Sequence, residues 1–361
     1  MTGGRRRRWH SLGPGPGRLT TSPVPETATE TGDDGRARGP TRPPGPLIRS
    51  ATTKGLVTTE MTTVPPAYRV SLPDPLINLL GKHLPDLPRP ELNPASGQLS
   101  TYAADHYRAV LAGASDAWAL VQHLRDLLDD DQGEGFAALA TAPLLDHHGL
   151  DDGRTAITAV LSWLATPLKA HDDERLWSLL DGDPQHTVDE NPLHIDAVYT
   201  AQPPDYTAFL CTRPDPRGGG LSLVAPIRRA VSRLTDDQHL LLTRRIRRRE
   251  TEATPRTGPV LDVFPVLDDT LPPADGFVRF HPSILKNTDP ATPHTRAVHA
   301  LENELTACQR RMRLGFGDLL LTNQHLSAHG HGALGGFQNH LPAHQRRQMW
   351  RIHLRTSTPT P

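Results

Sequence analysis

Apolar residues recur at steps of three and four between Tyr102 and Leu128: Tyr107, Val110, Leu111, Trp118, Val121, Leu124 and Leu128. That period predicts one or two amphipathic helices, interrupted near Gly113. Leu76, Ile77, Leu79 and Leu80 predict a short helix that stops before the proline-rich stretch 85–94. Asp151 or Asp152 is placed to cap a helix over 154–164, and Pro167 closes it. Ala297, Val298, Leu301, Leu305 and Met312 mark a long helix over 292–314. Shorter helices are expected over 227–234 and 236–247.

The strand signals have a different texture. Short β-prone runs bounded by Pro and Gly lie at 206–212 and 221–225, and further runs at 135–139, 260–266, 277–280, 319–322 and 349–354. Asp215-Pro216-Arg217-Gly218-Gly219-Gly220 between two of them reads as a turn or a close backbone approach. Short strands of even length, without strict strand–helix alternation and without repeats, predict an α+β, mainly β fold. The expected form is a mainly antiparallel sandwich or jelly roll with flanking helices. Long connections at 251–258 and 268–276 are lid candidates or plain surface insertions.

The first sixty residues break this pattern. They carry ten Lys or Arg against five Asp or Glu, and Pro and Gly fill 18 positions. Such a segment buries too little apolar surface to offset its chain entropy, so disorder is expected. A solvated extension is favoured over a nucleic-acid or membrane-binding tail. Met61 opens a plainer sequence and is a candidate start of translation. The division expected is a basic Pro/Gly-rich extension, 1–65, and one folded domain, 66–361.

Whole-chain composition narrows the partners. Lys plus Arg number 39 and Asp plus Glu 40, so no global charge asks for nucleic acid. Two cysteines, Cys211 and Cys308, argue against a disulfide framework and for a reducing, cytoplasmic setting. No apolar run approaches the roughly 20 residues of a membrane helix. Arg5 to Arg8 lack the apolar stretch that a secretion signal carries behind its charges.

Chemistry concentrates in two remote stretches. His194 and Asp196 are two apart, which on a strand puts both side chains on one face. His329 follows Asp196 by 133 positions (329 minus 196). Two His and one carboxylate form the facial triad that holds ferrous iron and leaves the opposite face open. His-x-Asp alone is weak among 19 histidines. The second stretch strengthens it: Gly317-Asp318-Leu319-Leu320 leads to His329-Gly330 and then to a basic run, Arg346-Arg347-Gln348-Met349-Trp350-Arg351. An Arg near the metal suits a dicarboxylate co-substrate through bidentate pairing. The plainer reading of that run is an exposed basic strand. His325, His331, His340, His344 and His353 are expected at the surface.

Together these residues resemble the clavaminate synthase-like and taurine dioxygenase-like iron(II)/2-oxoglutarate oxygenases. His194-Ile195-Asp196 resembles the family's His-x-Asp/Glu element, and Asp205-Tyr206 through Leu210-Cys211-Thr212-Arg213 a stretch found in members that hydroxylate free amino acids. Gly219-Gly220-Leu221-Ser222 is similar to a Gly-Gly-x-Thr/Ser element that contacts 2-oxoglutarate, and Arg347 to Ile352 to an Arg-Trp-Leu-x-Arg strand. The similarity covers about residues 70 to 355.

The resemblance implies a jelly-roll core, with His194, Asp196 and His329 as iron ligands. It implies Arg347 and Ser222 as 2-oxoglutarate contacts, Arg351 as a nearby second cation, and dioxygen as co-substrate. Asp196 is present where halogenating members have lost the carboxylate, so the implied outcome is hydroxylation, with desaturation or cyclisation behind it. The implied substrate is an amino acid, free or presented by a carrier protein, attacked at the β-carbon, often in natural-product pathways. Asp189, Glu190 and Asn191 are candidate ammonium partners, and Arg213 a candidate for the carboxylate. His331 replaces the usual Arg after His-Gly, and the insertion at 334–343 leaves Arg346 a rival to Arg347. A catalytically degenerate binding module of the same fold, or a zinc hydrolase, stays open as another class.

Overall fold

The computed structural model describes residues 62–169, 175–180, 189–247, 260–271, 276–286 and 288–356. These lie in the compact unit Thr58–Pro361. The expectations for residues 1–61, for 251–258 and for the centre of 268–276 fall outside the described residues.

Capping and periodicity account for the helices Asp74–His83, Thr101–Leu111 and Ser115–Leu128. The break at Gly113 lies where the apolar spacing put it, and the Ser100 hydroxyl caps the second helix by accepting from the Ala103 N–H. The next helix, Ala142–Leu164, starts earlier than expected. It is two segments joined at Gly149, whose φ of 76° no continuous helix permits. Two other helices are shorter than their periodicity implied. Pro293–Cys308 ends where the chain turns into the strand Arg310–Arg313, and Asp236–Leu242 gives way to Arg245–Arg247, which pairs with Val263–Pro265. In both places a strand partner overrides local helical preference.

Two sheets dominate the described chain. The larger has seven strands and runs in the order Arg69–Ser71, Phe136–Ala140, Asp318–Asn323, Tyr206–Arg213, Gln348–Arg355, Thr166–Leu168, with Ser178–Leu179 also on Gln348–Arg355. The smaller has five: Thr62–Thr63, Arg310–Arg313, Ser222–Pro226, Ser327–His331 and Asn191–His194. All ladders are antiparallel except those of the two N-terminal strands, Thr62–Thr63 and Arg69–Ser71. The architecture is mixed helix and strand, with more helix than a mainly β chain would have.

Strand alternation decides what each sheet face meets. On Gln348–Arg355, Ile352 and Leu354 join the core formed with the first four helices, while Met349 faces the other way. Met349, Cys211, Phe136 and Leu320 of the large sheet pack with Val224 and Met312 of the small one. A third apolar core sits between the small sheet and the helix Pro293–Cys308. The candidate residues His194, His329, Arg347 and Arg351 lie on strands of the two sheets or at their ends.

Tight turns support this packing. At Gly317 φ is 77°, and a Cβ there would lie 2.4 Å from the Ala142 N and Cα atoms. Gly317→Ala is expected to cost about 2–4 kcal/mol, combining backbone strain with overpacking, as read by urea unfolding.

Long-range polar ties hold the loops. The described ends of 268–276 are not a free lid: Leu267–Asp268 pairs with Phe277–Val278, and Asp268 Oδ2 accepts from the fully buried Arg279 Nε at 2.7 Å. His325, expected at the surface, is largely covered, and its Nε2 lies 2.7 Å from Asp205 Oδ1. The reason is the turn after Asn323, which folds it back toward the start of the neighbouring strand. Burial alone would raise the Asp205 pKa, but hydrogen bonds from His325 and Thr356 outweigh it and hold the carboxyl below its ordinary range. The unfolded state therefore binds the proton more readily. Asp205 contributes stability that is complete above the ordinary carboxylate pKa and lost as pH falls through its lower folded value. The stability gap between wild type and Asp205→Asn should thus narrow below about pH 4, in urea unfolding series against pH.

Candidate active site

His194 is the last residue of the strand Asn191–His194 and sits directly opposite His329 in the antiparallel ladder with Ser327–His331. Their ring centroids are 4.6 Å apart. Asp196 joins them by a different route from the one expected. The strand has ended by then, and the chain turns at residues 196–199, with Ala197 at a φ of 54°. The Asp196 N–H donates to Gln324 Oε1 at 2.6 Å, which pins the turn. Ligand atoms of His194, Asp196 and His329 all lie within 4.8 Å of one another, and all three residues are buried.

The protonation states follow from the surroundings. His194 Nδ1 lies 2.8 Å from the Pro192 carbonyl, which only accepts. Nδ1 therefore carries a hydrogen, and Nε2 is turned toward Asp196, 3.7 Å from Oδ1. Burial pushes the His329 imidazole down to about 4, against the pull of Asp196, so the ring is neutral at pH 7. Burial also works against charge on Asp196. The Arg351 guanidinium and the two flanking histidines outweigh it and hold the carboxyl well below its usual range.

One observation tests whether a metal fits here. Neither ring nitrogen of His329 has a hydrogen-bond partner, though both are buried. Nε2 is 3.3 Å from Asp196 Oδ2 but is not aligned for a hydrogen bond. A buried polar atom without a partner costs about 1–3 kcal/mol and calls for an explanation. The neutral His329 imidazole and the ionised Asp196 carboxylate are already in the state a metal requires. The donor set fits a divalent cation that takes nitrogen and oxygen ligands.

A cavity of about 300 Å³ opens beside these residues. Ser222, Arg347, Arg351 and His331 line it together with the two histidines, as do Asp189, Glu190 and Asn191. Arg347 and Arg351 are buried rather than on an exposed basic strand, because alternation along 347–353 turns odd-numbered residues between the sheets. Arg347 is fixed from behind: a Cβ on Gly220, which has φ 62°, would lie 2.9 Å from its Cδ and Nε. Arg346 points elsewhere and donates from Nε to the Leu341 carbonyl at 2.9 Å. The insertion at 334–343 thus leaves Arg347, not Arg346, at the cavity. Arg213 is not among the lining residues; it donates to the Ala343 carbonyl and to Gln348 Oε1.

Three of the five histidines expected at the surface are not there. His325 is tied to Asp205. His331 lines the cavity, and burial together with Arg347 pushes it down to about 4. His353 is fully buried, its Nε2 3.1 Å from Asp196 Oδ2. Its two-residue spacing from Arg351 was a usable signal. Thr207, which donates to the same oxygen at 3.1 Å, and Gln324 left no signal in the sequence. His340 and His344 are exposed.

No curated protein sequence matches the chain. Among solved structures, asparagine oxygenase in complex with Fe(II), 2S,3S-3-hydroxyasparagine and succinate is similar at TM-score 0.63 and 19% identity, over 80% of this chain and 94% of that one. The non-heme iron oxygenase OrfP, in complex with Fe and alpha-ketoglutaric acid, is similar at TM-score 0.57 and 16% identity, over 82% and 95%. The same protein in complex with Fe and L-Arg gives 0.57 and 16%, over 80% and 94%. No described helix is long and apolar enough to cross a membrane. The family model for taurine catabolism dioxygenase TauD, TfdA family, matches residues 168–353, more than half of the chain and the whole stretch from before His194 to His353. The chain belongs to the TauD/TfdA family and is an iron(II)/2-oxoglutarate-dependent oxygenase.

Proposed function

We propose that residues 66–361 form one jelly-roll (double-stranded β-helix) domain that hydroxylates an amino acid at an unactivated carbon, the β-carbon first. His194, Asp196 and His329 would hold iron(II). When bound, iron with 2-oxoglutarate and dioxygen supplies the oxidising chemistry, and succinate and carbon dioxide are released. Arg347 would pair with the far carboxylate of 2-oxoglutarate, helped by the Ser222 hydroxyl, with Arg351 as a second cation nearby. The observation that carries the reading is the partnerless His329 ring, held beside an ionised Asp196 at the end of a cavity that also exposes a buried arginine.

Each protein group then has a physical task. Arg347 offers a planar fork to a carboxylate in a water-poor space, where bidentate pairing is strong. The apolar wall of Leu320, Met349 and Phe209 limits water around the reacting carbon. Glu190 and Asn191, with Asp189, supply acceptors where an ammonium would enter. Asparagine oxygenase and OrfP carry 3-hydroxyasparagine and L-Arg in their complexes, which supports an amino acid as substrate here. A substrate presented by a carrier protein in a biosynthetic pathway is the second form of this proposal; a free amino acid is the simpler reading.

The test is succinate release from 2-oxoglutarate by protein reconstituted with iron(II), over a panel of free amino acids and carrier-linked aminoacyl thioesters. Amino-acid-dependent succinate with a product 16 mass units heavier supports the reading. A product two units lighter would instead assign desaturation or cyclisation. No succinate with any substrate, and none uncoupled, would overturn it in favour of a binding module.

A further inference from the structure

Asp196 is gripped by two residues that do not line the cavity. His353 and Thr207 are directly opposite each other in the ladder between Gln348–Arg355 and Tyr206–Arg213. Both are buried, and both reach the same atom: His353 Nε2 and Thr207 Oγ1 each lie 3.1 Å from Asp196 Oδ2. Neither lines the cavity, so neither meets a substrate. An ionised carboxylate only accepts, so the His353 hydrogen sits on Nε2 and points at Oδ2. Arg351 approaches the other oxygen, Oδ1, at 3.2 Å.

The geometry points to His353 and Thr207 as positioning residues for the iron site. A carboxylate in a turn, as Asp196 is, can rotate about its side-chain bonds unless something holds it. Here the hold comes from the seven-stranded sheet, whose backbone pairing fixes both donors relative to each other. The ladder that carries Arg351 therefore also sets the orientation of a carboxylate in the turn that follows the opposing strand Asn191–His194. Donors to a ligating carboxylate raise metal affinity by orienting the ligand before the metal arrives. This inference rests on the iron-binding reading of His194, Asp196 and His329.

The experiment is anaerobic titration of the metal-free full chain with iron(II) against a competing chelator, with melting temperature of the metal-free protein as a fold control. His353→Leu keeps the volume and removes the donor; it is expected to weaken iron binding by about 10–100-fold. His353→Gln, whose amide can donate to the same oxygen, should restore most of that loss. Thr207→Val, nearly isosteric, should weaken iron binding by about tenfold, at the lower end of that range, with Thr207→Ser close to wild type. Should His353→Leu fail to fold, the threonine pair decides the matter.

Iron affinity within twofold of wild type in both His353→Leu and Thr207→Val would overturn the proposal. So would His353→Gln as weak as His353→Leu, since packing rather than donation would then explain the loss. Failure of the wild-type chain to take up iron is a different result, and it would overturn the reading of the site itself.

Discussion

Replacing His329 with leucine is expected to remove activity and yet leave the metal-free protein at least as stable. Activity should fall at least about a thousandfold, equivalent to about 4 kcal/mol of lost transition-state stabilisation. The stability half of the prediction comes from the partnerless ring. Both His329 nitrogens are buried without a hydrogen bond, and the neighbouring Phe209 ring is 4.9 Å away, centroid to centroid. An apolar side chain of similar size removes that desolvation cost, so urea unfolding of the metal-free form should show a gain of up to about 1–3 kcal/mol. The two measurements move in opposite directions, as expected where a fold carries a cost for function. Iron(II) should raise the melting temperature of wild type and have no effect on the variant, because only a ligand that binds the native state stabilises it. A variant that is inactive, less stable and still stabilised by iron would place the metal elsewhere.

The second large effect is expected at Arg347. It is buried at the cavity, beside Ser222 and against the Gly220 backbone. Arg347→Gln should raise the KM for 2-oxoglutarate by about 150- to 5000-fold, since losing one partner of a buried charge pair costs about 3–5 kcal/mol. Turnover at saturating co-substrate should change far less. Arg347→Lys should recover part of the loss, because a single ammonium keeps the charge but not the two parallel hydrogen bonds. Arg346→Gln should stay within about threefold of wild type, as its guanidinium holds a loop carbonyl and stands outside the cavity. A rise in KM at Arg346 with none at Arg347 would reverse the assignment.

Asp196 shows where sequence reading met its limit. His-x-Asp spacing pointed to convergence with His194 through strand alternation, and the two side chains do converge. They do so because the strand stops and the backbone turns through Ala197, held by Gln324 from another loop. Helix lengths missed for a related reason. The periods over 292–314 and 236–247 continue past the observed helix ends, because Arg310–Arg313 and Arg245–Arg247 find strand partners that a one-dimensional pattern does not contain. The surface assignment of His353 failed through neglect of a cue that was present. It stands two residues after Arg351, on the same face of the strand Gln348–Arg355.

What the chain determined by itself was local: which segments are amphipathic, where Gly113 breaks a helix, and which residue types at which spacing can hold a metal and a dicarboxylate. Period and side-chain chemistry depend on neighbours in sequence, so they can be read in one dimension. Which histidines are buried, which arginine faces the cavity and what grips Asp196 were decided only in three dimensions. Those outcomes depend on desolvation and on pairings across more than a hundred residues, such as His329 with His194 and His353 with Thr207. Burial and long-range register exist only once the two sheets have come together.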